Sequence, residues 1–251
     1  MFNPRNNSPF GGGRGGFGRG AFASRYQYQP MPHGAENAQA GSLVSKVMGL
    51  LAFSFLFAFI GGIVGIYVLQ LTYSTYWIVA IGGFIVLFAL MFAINKPGLN
   101  LFLLYLFTFL EGLSLSPLIR LYLKDPSYTN ILAEAFLITA VTSLGLAAYA
   151  WTTKRDFSGL GGKLFFGVIL LLVASLVSIF FHSTFFIFLI CVAGVGIFSA
   201  YILYYVQRAK YMADTLPNAI GLTVSLFITV LNLFIYILEI LTILQGSNRR
   251  N

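Results

Sequence analysis

Charged residues are scarce in this chain. They account for 9% of its 251 residues, whereas a soluble domain carries about 25%, so the composition excludes an ordinary soluble protein. Hydrophobic residues account for 58%. Apolar runs of about 20 residues recur along the chain, and an α-helix of that length crosses the hydrocarbon core of a bilayer. Because a transmembrane barrel would show shorter alternating segments, we predict an all-α integral membrane protein.

Cysteine, histidine and the usual catalytic motifs are also nearly absent. The single cysteine, Cys191, cannot form a disulfide within the chain, and the two histidines form no cluster with it that has metal-ligand spacing. The GxSxG, HExxH and P-loop signatures are missing. We therefore expect no catalytic residue, no metal site and no cofactor, and we interpret Cys191 as a packing residue.

Residues 1–42 differ in kind from the rest and contain a Gly/Arg-rich stretch at 11–20. Such a segment buries too little apolar area to offset the entropy of ordering it. Arg-Gly repeats can bind RNA or anionic lipid, but this segment has only four arginines. We predict a disordered cytoplasmic tail and no nucleic-acid partner, followed by one transmembrane domain at residues 43–246.

Seven hydrophobic segments follow the tail, and several of the connections between them are only a few residues long. The segments lie at residues 45–70, 76–94, 99–123, 130–151, 161–181, 184–205 and 218–244. Short connections make consecutive helices antiparallel neighbours. We therefore predict a compact bundle of seven transmembrane helices embedded in the lipid bilayer.

The positions of Lys and Arg predict the orientation of this bundle. Eleven of the 15 lie in the tail, at the start of segment one, or in the 2–3, 4–5 and 6–7 connections. The other four are Arg120, Lys124, Arg249 and Arg250. We therefore place the N-terminus in the cytoplasm and the C-terminus outside. A six-span alternative with a re-entrant last segment would bring Arg249 and Arg250 inside, and it stays open at this point.

Glu111 is the most informative single residue, because it lies inside the third apolar segment, in FTFLEGLSLSP at 107–117. A charged side chain at the bilayer centre costs at least ~2.5–3.5 kcal/mol on insertion scales. A chain keeps such a group where it faces a partner or a wet interior, so we expect Glu111 to lie on an ion pathway. The alternative is a buried neutral acid that bonds to Ser114.

The last segment carries a polar stripe on one helical face. Its members are Ser225, Thr229, Asn232, Tyr236 and Glu239, and the residues between them are apolar. Because unsatisfied polar groups in hydrocarbon are costly, this face should point into the bundle. It either lines a path for ions, with Thr229, Asn232 and Glu239 as lining residues, or holds the bundle together through hydrogen bonds between helices.

The remaining intramembrane charges predict an ion pair. Pro117 should kink or break the third helix, which would re-aim Arg120 toward Glu134 at the same depth in segment four. Glu239 competes for the same arginine. Three acids, Glu111, Glu134 and Glu239, against one arginine leave the interior negative, which favours cations over anions along any path.

Four stretches of the chain resemble the Bax inhibitor-1 family, the transmembrane Bax inhibitor motif proteins. They are FTFLEGLSLSP, AYAWTTKRDFSGLGG at 148–162, LYYVQRAK at 203–210 and LFITVLNLFIYILEIL at 226–241. The resemblance covers about residues 45–245. It implies a seven-helix bundle with the last helix in the centre, a pH-sensitive calcium leak, and a role in resisting stress or death.

The resemblance also implies partners and a location. Bacterial relatives are linked to a membrane-bound AAA protease, so the second hypothesis is a non-conducting regulator of that protease or of other membrane proteins. The short loops suggest a bacterial inner membrane, and an organelle membrane if the chain is eukaryotic. Calcium would be the transported ion rather than a cofactor.

This chain departs from the family at its acid pair. The family commonly carries an aspartate at the position of Tyr205 and another at the position of Thr229. Two neighbouring carboxylates shift each other's pKa and so form a proton switch, whereas tyrosine and threonine do not titrate near neutral pH. We therefore expect either a constitutive weak leak or a pH response through Glu111.

Overall fold

The computed structural model describes residues 35–181 and 183–248. Over these residues the chain forms seven helices long and apolar enough to cross a membrane. They are α1 (Ala35–Ile63, extended by a π-helical turn at Val64–Val68), α2 (Tyr73–Ala93), α3 (Leu99–Leu123), α4 (Pro126–Thr152), α5 (Leu160–Phe181), α6 (Thr184–Ala209) and α7 (Leu216–Asn248). α1 begins ten residues before the predicted first span, and the other ends agree with the prediction to within about four residues. The prediction of a seven-helix membrane bundle is confirmed.

The last helix crosses the bundle without reversing. α7 is one continuous helix of 33 residues, and at ~1.5 Å per residue it is roughly 50 Å long. A re-entrant segment would turn back within the membrane, so the six-span alternative does not hold. Arg249 and Arg250, on which that alternative turned, lie outside the described residues.

The predicted tail lies mostly outside the described part of the chain, which begins at Ala35. Residues 35–42, which the sequence assigns to the tail, already belong to α1. α1 therefore begins before residue 43, the predicted start of the membrane domain, and the part of it that is apolar enough to cross a membrane begins at Gly41.

The helices are arranged around α7, which contacts α1, α3, α4 and α6. The backbones of α2 and α5 pack on α3 and α6, respectively, and stay apart from that of α7. Their side chains reach α7, since Leu90 of α2 belongs to one buried cluster with Ile220, and Ser175 of α5 lies within hydrogen-bonding reach of Tyr236. The family resemblance implies six helices around the last one, and in the described structure all six meet α7 through backbone or side-chain contacts.

The outer surface of the bundle is apolar. Large side chains on α2, α5 and α6 point outward, among them Ile78, Phe92, Phe166, Phe180 and Phe185. A soluble protein rarely exposes so large a continuous apolar surface, whereas lipid chains solvate it well. The structure therefore supports a multi-pass membrane protein.

Glycine permits the closest approach, between α1 and α3. A β-carbon added at Gly112 would lie 1.8 Å from the carbonyl oxygen of Ala58, and one added at Gly61 would lie 2.1 Å from that of Phe109. Gly65 makes room in the same way for the side chain of Ser116. Small residues allow helix backbones to meet closely in lipid, so these positions fix how α1 packs on α3.

Pro117 does not break α3. Its ring removes the hydrogen bond that its amide would donate to the carbonyl of Leu113. The hydroxyl of Ser116 donates to that carbonyl instead, at 2.7 Å, and serine is known to re-satisfy backbone groups freed by proline in membrane helices. The predicted break at Pro117 is therefore wrong, because the neighbouring serine replaces the missing bond.

We define the basic side of the bundle as the end that holds the start of α1 and the α2–α3, α4–α5 and α6–α7 connections. The side chain of Gln207 accepts a hydrogen bond from the amide of Phe157 and donates one to the carbonyl of Arg155. Lys210 donates to the carbonyls of Ala150 and Trp151, at 2.9 and 2.6 Å. These bonds hold the α4–α5 connection against the end of α6.

An ion pair joins α1 to the α6–α7 connection on the basic side. Lys46 Nζ lies 2.9 Å from Asp214 Oδ1. Burial raises the pKa of Asp214, but hydrogen bonds from Ser42 and Lys46 and the charge of Lys46 lower it more, so its pKa lies below the ordinary value of 3.8. A lowered folded-state pKa stabilises the fold above the unfolded-state value, and that contribution is lost as the pH falls through the folded-state value.

We expect Lys46→Gln to destabilise the protein by about 0.2–1 kcal/mol at pH 7, because Lys46 is half-exposed and such pairs are screened by solvent. The difference from the wild type should shrink as the pH falls below 3.8 and through the lower folded-state pKa of Asp214, because the carboxyl group then becomes protonated in the folded chain as well. Thermal unfolding in detergent at pH 7 and over an acid series measures it. A difference that persists in acid would show that Lys46 acts through packing instead.

Candidate functional site

The polar stripe of α7 bonds largely to its own helix. The Ser225 hydroxyl donates to the carbonyl of Gly221 at 2.9 Å, the Thr229 hydroxyl to that of Ser225 at 2.6 Å, and the Asn232 amide to that of Ile228 at 2.8 Å. All three side chains are buried or partly buried. The hydroxyl donors of Ser225 and Thr229 are used within α7, and the hydrogen bond of Asn232 also stays within that helix, so these three residues do not form the predicted hydrogen bonds between helices. Their oxygens remain available as acceptors.

A cavity of about 380 Å³ lies beside this stripe, on the basic side of the bundle. Four helices enclose it, namely α2, α5, α6 and α7. It is lined by Leu87, Leu90, Met91 and Ile94 of α2, Val168 of α5, Phe198, Tyr201 and Tyr205 of α6, and Gly221, Val224, Ser225, Ile228 and Thr229 of α7. Met91 is 42% exposed, so the cavity is open toward α2.

The two positions where the family carries its acid pair lie at this cavity. Tyr205 of α6 and Thr229 of α7 both line it. The two family positions are therefore brought together at one cavity, and the side chains there are hydroxyl-bearing and aromatic rather than acidic. Sequence reasoning missed the lining residues of α2 and α5, because apolar residues that face a cavity have the same pattern as those that face lipid.

Aromatic side chains of α6 line the cavity and close its end away from the basic side. Tyr201 and Tyr205 stack with ring centroids 5.4 Å apart, and Phe198 stacks on Tyr236 of α7 at 5.8 Å. Tyr236 sits on Gly194, where an added β-carbon would lie 2.7 Å from its ring. The cavity lining reaches Thr229 but not Asn232, so the Phe198–Tyr236 pair separates the cavity from the rest of the stripe.

Glu239 lies beyond this aromatic pair, where α7 packs on α6. It is partly buried. No hydrogen bond or ion pair reaches its carboxylate from the described residues. Within the described part of the chain, α7 thus holds an acid without a cationic partner where it packs on α6.

Glu111 lies between α3 and α2, apart from the stripe. Its Oε1 atom is 3.4 Å from where a β-carbon of Gly83 would be, and Gly83 precedes the cavity-lining Leu87 by one helical turn. The hydroxyl of Ser114 donates to the Glu111 carbonyl at 2.8 Å, not to its carboxylate. The alternative in which Ser114 bonds to the acid is therefore not what the structure has, and Glu111 lies one turn beyond the cavity rather than in its lining.

The predicted Arg120–Glu134 ion pair is not formed. The ion pair found among residues 35–181 and 183–248 is Lys46–Asp214, and Glu239 does not bind Arg120 either. The prediction required a break at Pro117 to re-aim Arg120, and α3 continues through that residue. Glu134 is exposed on α4.

Glu134 instead lines a groove between α4 and α7, on the side opposite the basic side. The groove has a volume of about 210 Å³ and is lined by Asn130, Ile131, Glu134, Leu241, Leu244 and Gln245. The side-chain oxygen of Gln245 is buried, with no hydrogen-bond partner among the described residues. Three side chains with oxygen atoms therefore meet here. The sequence did not single out Asn130 and Gln245 as site residues, because polar residues are common at helix ends.

The fold and the polar interior define a polytopic α-helical membrane protein whose last helix presents polar groups to its neighbours. A sequence model of the family described as "Inhibitor of apoptosis-promoting Bax1" matches residues 41–246. That match spans most of the chain, so the chain belongs to the Bax inhibitor-1 family.

Individual relatives come from bacteria and from an animal. An uncharacterised protein of Helicobacter pylori is 36% identical over 208 residues, which are 82% of this chain and 89% of the relative. A membrane protein of Vibrio cholerae is 35% identical over 65% of this chain and 72% of its own length. Mouse protein lifeguard 4 is 30% identical over 64% of this chain and 66% of its own length.

Proposed function

We propose that this protein is a cation leak channel that passes calcium along the interface of α6 and α7. The observation that carries the proposal is the inward stripe of α7, which ends at Glu239, an acid without a cationic partner among the described residues. A carboxylate kept between packed helices in a membrane is costly unless it serves a function. In this proposal it attracts cations.

The route has three parts. On the basic side, an ion enters the cavity lined by Ser225 and Thr229. The Phe198–Tyr236 pair then closes the route in this conformation. Beyond that pair the route passes Asn232 and Glu239 and ends on the opposite side, where the α4–α7 groove offers the oxygens of Glu134 and Gln245. Oxygen atoms are the ligands that calcium prefers.

Gating in this proposal does not use a pair of acids. Tyr205 and Thr229 occupy the family positions, and neither exchanges a proton near neutral pH. Movement of Tyr236 off Gly194 is the smallest change that would join the cavity to Asn232. A stress-protective role would follow from control of this leak.

Calcium uptake into proteoliposomes tests the proposal. Wild-type protein, shown by circular dichroism to be folded, should raise uptake clearly above that of empty liposomes, and a KCl gradient should show preference for cations. Uptake equal to that of empty liposomes would contradict the proposed channel.

Weakening the aromatic pair should increase the leak. We expect Phe198→Leu to raise calcium uptake about fivefold, the factor that corresponds to ~1 kcal/mol of aromatic pairing. Phe180→Leu, on the lipid-facing surface of α5, is the matched control and should leave uptake unchanged. A fall in uptake for Phe198→Leu would place the route elsewhere.

The second candidate function is a regulator that binds other membrane proteins and conducts nothing. The closed Phe198–Tyr236 pair and the absence of acids at Tyr205 and Thr229 favour it. A membrane-bound protease is the partner class, and residues 1–34 would be the docking arm. Deleting residues 1–34 distinguishes the two functions, because a channel should still conduct and a tail-dependent regulator should lose its partner.

We further propose that the protein lies in a bacterial inner membrane with its basic side in the cytoplasm. Lys46, Lys96, Lys154, Lys163 and Lys210 all lie on that side, and positive residues are retained in the cytoplasm. A phosphatase fused after residue 248 should be active in the periplasm. Activity only of a reporter that requires the cytoplasm would reverse the orientation.

A further inference from the structure

The cavity on the basic side differs from an aqueous pocket in the chemistry of its walls. Most of its lining side chains are aliphatic or aromatic. The hydroxyls of Ser225 and Thr229 donate to their own helix and keep only their oxygens as acceptors. A buried water needs two to four polar partners. Besides these two oxygens, only Tyr201 and Tyr205 bring side-chain hydroxyls to the lining, so most of the wall area suits hydrocarbon, and a polar path would be confined to the α6–α7 side.

The cavity is also open to the surrounding membrane. α2 and α6 do not contact each other in the described structure, and the half-exposed Met91 stands at the gap between the cavity and the outside. Its volume of about 380 Å³ lies within the range of roughly 300–1,000 Å³ that is usual for small-molecule sites. Lipid chains that solvate α2 can enter it sideways.

Cationic side chains follow the cavity on three of the four helices that enclose it. Lys96 lies two residues after Ile94, Lys163 lies five residues before Val168, and Arg208 lies one turn after Tyr205. Two acids lie on the same side and are outnumbered by cations, since Asp214 pairs with Lys46 and Asp156 directly follows Lys154 and Arg155 in the α4–α5 connection. The basic end of the cavity is therefore positively charged.

We infer that this cavity binds one acyl chain of an anionic phospholipid from the leaflet on the basic side, with its headgroup near Lys96, Lys163 and Arg208. The chain would lie between Tyr205 and Thr229. Binding does not depend on whether the protein conducts. If the proposed leak exists, the bound chain obstructs its entrance, so anionic lipid would inhibit it.

Native mass spectrometry tests the inference. The full-length protein is reconstituted in nanodiscs with equal amounts of phosphatidylglycerol and phosphatidylcholine that carry the same acyl chains, and is then released into detergent. Wild type should retain one phosphatidylglycerol.

Val168→Trp fills the cavity and should lower retention about tenfold, the cost of losing the burial of a few methylene groups. Ile169→Trp, 43% exposed on the outer face of α5, should retain the lipid.

Two further variants keep the test decisive. Met91→Trp fills the cavity at its exposed mouth and should also lose the lipid, which covers the case in which Val168→Trp does not fold. Lys96→Gln combined with Lys163→Gln should remove the preference for phosphatidylglycerol, whereas Lys124→Gln on the opposite side should keep it. Equal retention of the two lipids by wild type, or full retention by folded Val168→Trp and Met91→Trp, would overturn the inference. Neither result depends on calcium flux.

Discussion

Replacing Glu239 with glutamine should lower calcium flux about tenfold. A carboxylate ~4 Å from a monovalent cation stabilises it by roughly 4 kcal/mol at an effective dielectric constant of 20. A hydrated ion experiences only part of this attraction, and a loss of about 1.4 kcal/mol is enough for a factor of ten. Glutamine keeps the size and polarity of the side chain, so the bundle should fold as before. Uptake into proteoliposomes, normalised to the folded protein, gives the value.

Two matched variants decide what a reduced flux means. Asp156→Asn removes the same charge from the exposed α4–α5 connection, outside the proposed route, and should leave flux unchanged. Glu111→Gln should have a smaller effect than Glu239→Gln, because Glu111 lies between α2 and α3, one turn beyond the cavity. If Glu111→Gln abolished flux and Glu239→Gln did not, the route would follow α2 and α3 instead of α6 and α7.

Gly112→Ala should cause the largest loss of stability of any single methyl group added to this protein. Its β-carbon would lie 1.8 Å from the carbonyl oxygen of Ala58, and backbone atoms cannot move aside as a flexible side chain can. Overpacking of a tight contact costs about 1–3 kcal/mol or more. For a chain of this size the melting temperature should fall by roughly 3–10 °C. Thermal unfolding in detergent measures this change.

Gly82→Ala provides the comparison. It adds the same methyl group on α2, where no atom lies within 4 Å of the new β-carbon, and alanine favours the helix over glycine. Its melting temperature should equal or exceed that of the wild type. If both variants lost the same stability, the close contact of α1 with α3 would not be what limits the fold.

The spans could be predicted from sequence because hydropathy determines them. Each of the seven segments is apolar over the length of a bilayer, and apart from the start of α1 the helices begin and end within a few residues of the prediction. The stripe on α7 was also visible, because polar residues recur on one face of an otherwise apolar helix. The hydrogen-bond partners of the stripe could not be predicted. Whether a side chain bonds to a neighbouring helix or to the preceding turn of its own helix depends on distances that a sequence does not contain.

Pro117 shows how a correct local rule gave a wrong result. Proline removes a hydrogen bond wherever it lies within a helix, but Ser116 supplies the replacement to Leu113. The adjacent pair Ser116–Pro117 was in the sequence, and a test for a compensating hydroxyl would have found it. The error extended further, because the predicted Arg120–Glu134 ion pair rested on the expected break.

The family motifs indicated which residues lie together in the fold, but they did not predict the chemistry of those residues. Tyr205 and Thr229 were singled out by their positions in the motifs, and both line the cavity. Other motif residues have structural roles, since Gln207 and Lys210 hold the α4–α5 connection against α6. Burial lowers the pKa of Lys210, while the carbonyls at the end of α4 favour its charge. The cavity itself could not be predicted, because Leu87 and Val168 follow the same pattern as residues that face lipid.

The dilution potential across proteoliposomes is the most direct test of a cation path that depends on Glu239. With a KCl gradient, wild-type protein should drive the membrane toward the potassium equilibrium potential, because the unpaired acid in the bundle favours cations. Glu239→Gln should bring the potential close to that of empty liposomes. A wild-type potential of the opposite sign, or one that Glu239→Gln leaves unchanged, would contradict this account.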